Sequence, residues 1–575
     1  MKKIKLYIQI PVILCFLAIN SCTSVLDKKD LGAISEEQVW SSPAYALAYL
    51  DNVCRQVIPS RNLGSSNNSD ESGTGSSFLN GQLTSNSYTD WPYDRIREIN
   101  ICLAMIGSGG IEQTTQERIK AQALVLRAWV YFSMVKLYGG VPLVLRPYEV
   151  GEDLFIPRNK TSECIEQIVK DLDDAINSSE LPYKWEGNDA GRITKASALA
   201  LKGRVLLYYA SPQFNEPGTR NAQRWTNAYN ANKQAKELLA ANGYALYESF
   251  SNLWFNEMNS EVVFVKRYNY PQQTQNWSSS LRPLITTFNN TCANPPTQEM
   301  VDAFPMEDGT PIDESSDYDP VHFWRGRDPR FAATIAYNGC IWPISMDGEK
   351  PGRIQWTYNG GEDNIYTSTG YYCRKTVDVT QSGFDANNSG TDWIEIRYAE
   401  VLLNFAECAA ETGNHAEAIQ VLKDIRKRAG IKEGTGMYGL KDGLTGDALI
   451  KAVLHERRLE LAFEGHRFWD LRRRRLFETE LNDTRRHRNY PQLTAMSLSE
   501  FEEIRDNLSV HGIDIEKDYA NYFSPKLEDF DTEVIKVKPE YNFFGIANTH
   551  LERDYTLKQT QGWPDTGTGL FNPYE

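Results

Sequence analysis

His455 and Glu456 open the pattern of a zinc-dependent hydrolase, but the second histidine would have to stand at 459, where the chain has Leu459, so that chemistry is excluded. Glu307, Asp308, Asp313, Glu314, Asp317 and Asp319 could offer oxygens to calcium. Their order is not that of an EF-hand loop, and a solvated acidic turn is the expectation. No nucleophile elbow, phosphate-binding loop, dinucleotide glycine motif or zinc signature is present, and no metal or cofactor is expected. Carboxylates are plentiful, and a glycosidase pair meets in space at roughly 5–9.5 Å without a fixed sequence spacing, so a hydrolase stays open as an alternative. The residues best suited to a ligand are aromatic rings among amides. A sugar ring can lay its apolar CH face on an aromatic face while Asn, Gln, Asp or Arg meets its hydroxyls. Tyr268, Tyr270 and Trp277 stand beside Asn269, Gln272, Gln273, Gln275 and Asn276, and Tyr88 and Trp91 beside Asn86 and Asp90. The 268–277 stretch has no aliphatic residue and is the stronger candidate; its rings packed against the scaffold is the competing reading. Trp91 directly precedes an expected helix over 93–105, which also favours packing. Trp324 and Trp342 are weaker candidates.

These loops need a scaffold, and the apolar spacing supplies one. Helices are expected at about 115–138 (with a capping box from Thr114 and Glu117), 162–177, 195–210, 226–241, 394–412, 415–429 and 446–464. The pair from Ile394 to Ala429 has the length of one tetratricopeptide unit, with Ala399, Ala406, Ala409, Ala410, Ala416 and Ala418 where helices must approach closely. The fold class is therefore mainly α, a tetratricopeptide-like repeat scaffold in two sets, at about 115–242 and 394–470. A loop-rich insertion over 243–393 divides them, with short β runs at 261–266 and 331–337. Residues 60–90, rich in Ser, Asn and Gly, read as a long surface loop, and 477–575 as an irregular tail. The last helix carries charges within its apolar stripe. Arg457 with Glu460 and Glu464 with Arg467 are spaced to pair at three residues, and a structural clamp is the expectation.

Lys2, Lys3 and Lys5 precede an apolar run from Tyr7 to Ile19, too short to span a bilayer, and then Ser21-Cys22. This reads as a signal peptide over 1–21 with lipidation at Cys22. Its removal takes three lysines and no acid, changing the formal charge from −15 to −18. So negative a surface argues against nucleic acid, and the arginines at 472–475, 485, 486 and 488 are interleaved with Asp470, Glu478, Glu480 and Asp483. The remaining seven cysteines are scattered and suit buried apolar positions.

The run HERRLELAFEGHRFWDLRRRR at 455–475 resembles the signature of the SusD/RagB family of outer-membrane nutrient-binding lipoproteins of Bacteroidetes. LRAWVYFSMVKLYGGVPLV at 126–144, GRITKASALALKGRVLLYYASPQF at 191–214, RDPRF at 327–331, GYYCRK at 370–375 and IRYAEVLLNFAECAAETGN at 396–414 agree in order, and Cys22 to Asp27 is similar to the start of family members. The resemblance implies four regions: the signal peptide over 1–21, an N-terminal region over 22–242, the ligand-face insertion over 243–393 and a C-terminal region over 394–575. It also implies a lipid-anchored protein facing the cell exterior, which binds oligosaccharides without turning them over and passes them to a SusC-like TonB-dependent transporter. The peptide-binding RagB branch is the first alternative and a surface glycoside hydrolase the second.

Overall fold

The computed structural model describes residues 34–61, 64–287, 292–344 and 353–575; the signal peptide and Cys22 lie outside the described residues. The helices of the scaffold are α1 (Pro43–Val57), α2 (Tyr93–Met105), α3 (Gln113–Tyr138), α4 (Thr161–Asn177), α5 (Lys195–Ala210), α6 (Ala222–Ala241), α7 (Tyr398–Glu411), α8 (His415–Ala429), α9 (Gly446–Glu460) and α10 (Arg467–Arg473). Each packs on its sequence neighbour from α1 to α10, and α6 packs directly on α7. The two expected repeat sets are thus one continuous tetratricopeptide-like stack, and the chain is mainly α.

Close approach within the stack depends on small residues. Asn232 of α6 donates to the carbonyl of Gly203 in α5 at 3.0 Å, and a methyl group at 203 would lie 2.4 Å from the Asn232 Oδ1. Buried arginines bridge successive layers through paired hydrogen bonds. Arg127 of α3 holds Asp171 of α4 at 2.7 and 2.7 Å, and Arg204 of α5 holds Glu400 of α7 at 2.7 and 2.6 Å. Arg473 of α10 holds Glu407 of α7 at 2.6 and 2.5 Å. Such forks fix register, because removing one partner leaves the other charge buried and unpaired.

Several expectations are corrected. The helix expected from 394 begins at Tyr398, because Trp393–Arg397 forms strand β2, antiparallel to β1 (Val262–Lys266) with Val262 opposite Arg397. Its alternating sequence WIEIR turns only Glu395 toward a less buried side, as a strand requires. The capping box at Thr114 does not form, since α3 starts at Gln113 and Thr114 lies inside its first turn. The run expected as a strand at 331–337 is mostly a short helix, Pro329–Thr334. Asp328 caps it by accepting from the Arg330 amide at 2.9 Å, and only Ile335–Ala336 is extended.

The 60–90 stretch is not a surface loop. Ser69, Asp70, Glu71, Ser72, Phe78 and Leu79 are buried. Asp70 accepts from Arg467 at 2.8 and 2.8 Å, and Glu71 accepts from the Phe463 amide at 2.6 Å, so the polar groups of this inner segment are met by the region around α10.

The predicted three-residue ion pairs are also replaced. α9 ends at Glu460, and the left-handed Phe463 (φ 56°) and Gly465 (φ 84°) separate it from α10, so Glu464 and Arg467 share no helix face. All four charges are buried and find distant partners. Arg457 meets Asp470 at 2.8 Å and Asn404 at 2.7 Å; Glu460 meets Arg397 at 2.6 Å, Arg330 at 2.9 Å and Arg428. Glu464 meets Arg397 at 2.7 Å and Lys375 at 2.6 Å, and Arg467 meets Asp70. The clamp exists, but it fastens the insertion and the 60–90 segment to the scaffold instead of stapling one helix to itself.

Candidate ligand cavity

Tyr268 and Trp277 do not form an open stacking face. Each is 7% exposed, and their rings meet edge to face at 5.3 Å inside the core beneath the insertion. The Tyr268 hydroxyl is 2.6 Å from that of Ser60, and its amide donates to Asp392 at 2.7 Å. Trp277 begins a short helix, Trp277–Ser280, and presents its edge to Trp393 at 6.2 Å. Tyr270 is 66% exposed and stands apart from both. Asn269 and Gln273 close a turn through paired backbone hydrogen bonds of 2.8 Å; Asn269, Gln272 and Asn276 are exposed, whereas Gln275 is buried with Tyr268 and Trp277.

Tyr88 and Trp91 come together in a cavity of about 770 Å³. Four further aromatic residues line it: Trp129 from α3, Trp393 from β2, and Phe468 and Trp469 from α10. Tyr88 stacks on Phe544 at 3.8 Å, and Trp91 is braced by His550 at 5.4 Å and by the edge of Tyr138 at 5.6 Å. Trp129 and Trp393 are buried, whereas Trp91 and Trp469 are half-buried. The rings are therefore held by packing before any ligand arrives, which lowers the ordering cost of binding.

Polar groups stand between them. Asn68 donates to the Tyr88 hydroxyl at 3.5 Å, and Asp90, Arg95 and Lys136 also line the cavity. The Lys136 ammonium sits 4.1 Å from the Trp469 ring centroid with no carboxylate in ion-pair range among the described residues. Burial, helped by the nearby Arg204 charge, pushes its pKa down to about 8. Glu395 and Glu464 line the cavity but are committed. Glu395 accepts from the Trp393 indole at 3.0 Å and from Arg204 at 3.1 Å, and burial raises its pKa. Burial alone would raise Glu464 too, but the Arg397 and Lys375 charges outweigh it and hold the carboxyl below its usual range.

Of the cavity aromatics, Trp129, Trp393 and Trp469 escaped the reading of the sequence, because each sits in a segment whose periodicity reads as core. The signal available was Trp469 beside Phe468: two adjacent large rings on one helix cannot both face the same interior. Within the acidic run at 307–319, Glu307 pairs with Lys432, Glu314 with Lys441 at 2.7 Å and Asp319 with His322 at 2.6 Å. Among the described residues, no group of three or more His, Cys, Asp or Glu side chains is placed to hold a metal ion.

Two family models match the chain: the SusD family over residues 260–563, and "starch-binding associating with outer membrane" over 24–207. The SusD-like protein P38 of Formosa agariphila is 24% identical over 509 residues, covering 82% of this chain and 92% of that protein. A SusD-like protein of Bacteroides fragilis solved by crystallography superposes with a TM-score of 0.72 at 25% identity, covering 93% of this chain and all of that one. A laminarin-binding SusD-like protein gives 0.57 at 21% identity, covering 91% and 99%. The first model spans more than half of the sequence, and its match begins at the strand that leads into the insertion and runs through the α7–α10 clamp: the chain belongs to the SusD family.

Proposed function

We propose that this protein is an outer-membrane lipoprotein, anchored through Cys22 and facing the cell exterior, that captures oligosaccharides in the aromatic cavity and passes them to a SusC-like TonB-dependent transporter without cleaving them. The observation that carries the reading is the cavity itself: six aromatic residues, three of them half-buried, set among Asn68, Asp90, Arg95 and Lys136. Rings receive sugar CH faces and the polar groups meet hydroxyls, a division suited to a neutral, hydroxylated ligand. Family relatives support the ligand class, one of them being described as laminarin-binding and another as a carbohydrate-binding protein. Binding without turnover is favoured because Glu395 and Glu464 are tied into hydrogen bonds and ion pairs, leaving, among the described residues, no acid–base pair of free carboxylates in this cavity. Among the described residues no helix is long and apolar enough to cross a membrane, and attachment in this reading rests on the lipid.

Calorimetry of the mature protein against starch-, laminarin- and other glycan-derived oligosaccharides, with chromatography of the recovered sugar, tests this. One oligosaccharide class should bind and be recovered intact, and Trp91→Ala and Trp469→Ala should each weaken it. Shortened sugar would establish a hydrolase, and binding unaffected by both substitutions would move the site elsewhere. The Cys22→Ala protein should leave the membrane fraction, and the transporter should co-purify with the wild-type protein alone.

A further inference from the structure

A second cavity of about 690 Å³ adjoins the oligosaccharide cavity, and Trp91 lines both. Its other walls come from the connection between α3 and α4 over residues 142–156, from the start of α2 and from residues 550–557. Val144, Val150, Leu154, Ile156 and Leu557 give it an aliphatic lining, joined by the rings of Trp91, Tyr93 and Tyr148. Val150 is fully exposed and Leu154 is 64% exposed, so much of this lining stands open to water. Phe155 and Tyr555, each next in sequence to a lining residue, lie ring to ring at 4.8 Å and are exposed as well, which widens the apolar patch. Contiguous apolar surface of this kind marks a place where something binds.

The polar groups of the second cavity ask for little. The Tyr93 hydroxyl donates to the Pro142 carbonyl at 2.6 Å, and Arg146 is forked on Glu152 at 2.9 and 2.9 Å. Asp554 accepts from the amide and hydroxyl of Thr556 at 2.9 and 2.6 Å, and Arg97, Arg553 and Glu149 are exposed to water. Three arginines against three carboxylates leave the lining without net charge, and burial lowers the pKa of His550, which favours its neutral form. An ion would lose hydration here and find no dedicated partner, whereas a neutral apolar group gains by leaving water. The three rings favour a flat group, because aromatic contacts add to the area they bury.

Trp91 decides what such a group is attached to. A glycan lying in the first cavity reaches the second over the half-buried Trp91 ring, so sugar and apolar group belong to one molecule. The neutral linkage that a sugar hydroxyl forms with an aromatic acid is an ester. We propose that the second cavity holds an aromatic acyl group ester-linked to the glycan whose sugar rings occupy the first. The glycan half of this assignment rests on the oligosaccharide reading, whereas capture of the aryl ester does not.

The test is equilibrium dialysis of the full mature protein against methyl ferulate, a neutral aromatic ester, and against methyl 3-cyclohexylpropanoate, an ester of similar size with a saturated ring. Methyl ferulate should bind saturably and more tightly than the saturated ester. Leu154→Asp and Val150→Asp, which alter exposed side chains and should leave the fold intact, should each weaken it about tenfold or more. Trp469→Ala, which changes the first cavity alone, should leave methyl ferulate binding as it is. Feruloylated arabinoxylan oligosaccharides should bind more tightly than the same fraction de-esterified with mild alkali, and Leu154→Asp should abolish that difference. No saturable binding of methyl ferulate, a preference for the saturated ester, full affinity in both Asp variants, or no effect of de-esterification would each overturn the assignment. If methyl ferulate does not bind and Leu154→Asp instead abolishes co-purification of the transporter, the patch is a protein contact and the assignment falls. Failure of the ferulate arms leaves the oligosaccharide reading standing, since that reading is tested by unesterified glycans and by Trp469→Ala.

Discussion

Arg397 grips Glu464 through two parallel hydrogen bonds, Nε to Oε2 at 2.7 Å and Nη2 to Oε1 at 2.9 Å, and so fastens β2, where the insertion returns to the scaffold, to the turn between α9 and α10. Lys375 joins the same carboxylate from within the insertion. Glu464→Ala should leave two cations buried around a vacated site and cost about 3–5 kcal/mol of stability. Urea denaturation checks this, and a midpoint within error of wild type would show that water replaces the carboxylate without penalty.

Trp277→Ala and Trp91→Ala should fail in different ways. Trp277 is packed between Tyr268 and Trp393, so its truncation should destabilise the fold by about 3–5 kcal/mol, the range for large aromatic residues in cores. Trp91 is half-buried at the cavity wall, and its loss should weaken oligosaccharide binding by about 2 kcal/mol, roughly thirtyfold, with a smaller effect on melting. Calorimetry and thermal denaturation on both variants separate the two roles.

Acid sensitivity should trace in part to Glu400. Burial would raise its pKa, but Arg204, with help from His466 and Arg457, holds it down to about 2. A carboxyl with a folded pKa below its unfolded value stabilises the protein above about 4.5 and loses that contribution as pH falls toward 2. Between pH 5 and the acid limit of folding, Glu400→Gln should show a shallower dependence of unfolding free energy on pH than wild type, though from a lower starting stability. Parallel slopes would mean that Glu400 does not titrate in this window.

Lys136 predicts the opposite trade. Its folded pKa of about 8 lies below the unfolded value, so the charged form is penalised in the folded state, and stability rises as pH climbs from about 8 toward 10.5. Lys136→Met should raise stability at pH 7 by about 1 kcal/mol and flatten that rise. It should also weaken oligosaccharide binding, because the ammonium is an uncommitted donor in the cavity. A protein kept less stable for the sake of a site is a familiar compromise, and a variant with unchanged binding would place Lys136 outside the site.

How far the sequence could be read depended on the range of the interactions involved. Helices α5 and α8 were legible to their end residues, because a helix is written in local periodicity and in residues such as Thr194, whose hydroxyl caps α5 by accepting from the Ser197 amide. Strand β2 was mistaken for helix because five residues carry both patterns, and its partner β1 lies over a hundred residues away. For the charges at 457–467 the spacing offers neighbours in sequence as partners, whereas the structure gives them distant ones. Nothing local could reveal that Asp70, far upstream, would reach Arg467. The cavity was half legible. Tyr88 and Trp91 sit on an irregular segment and stand out, while Trp129 and Trp393 are indistinguishable from core residues until the elements that carry them meet.

The contact between α6 and α7 spans residues 242–397, and this has a consequence for how the molecule comes to fold. Closing a flexible loop of that length costs about 4–5 kcal/mol of chain entropy before any contact offsets it, whereas the packing of α1 to α6 on one another joins near neighbours in sequence. The first six helices should therefore assemble early and the second set late. Until α7 docks, the face formed by Leu207, Ala210, Trp225 and Ala228, later covered by Cys408, stands open to water. That face is where an aggregating neighbour, or a chaperone, would find the half-built protein.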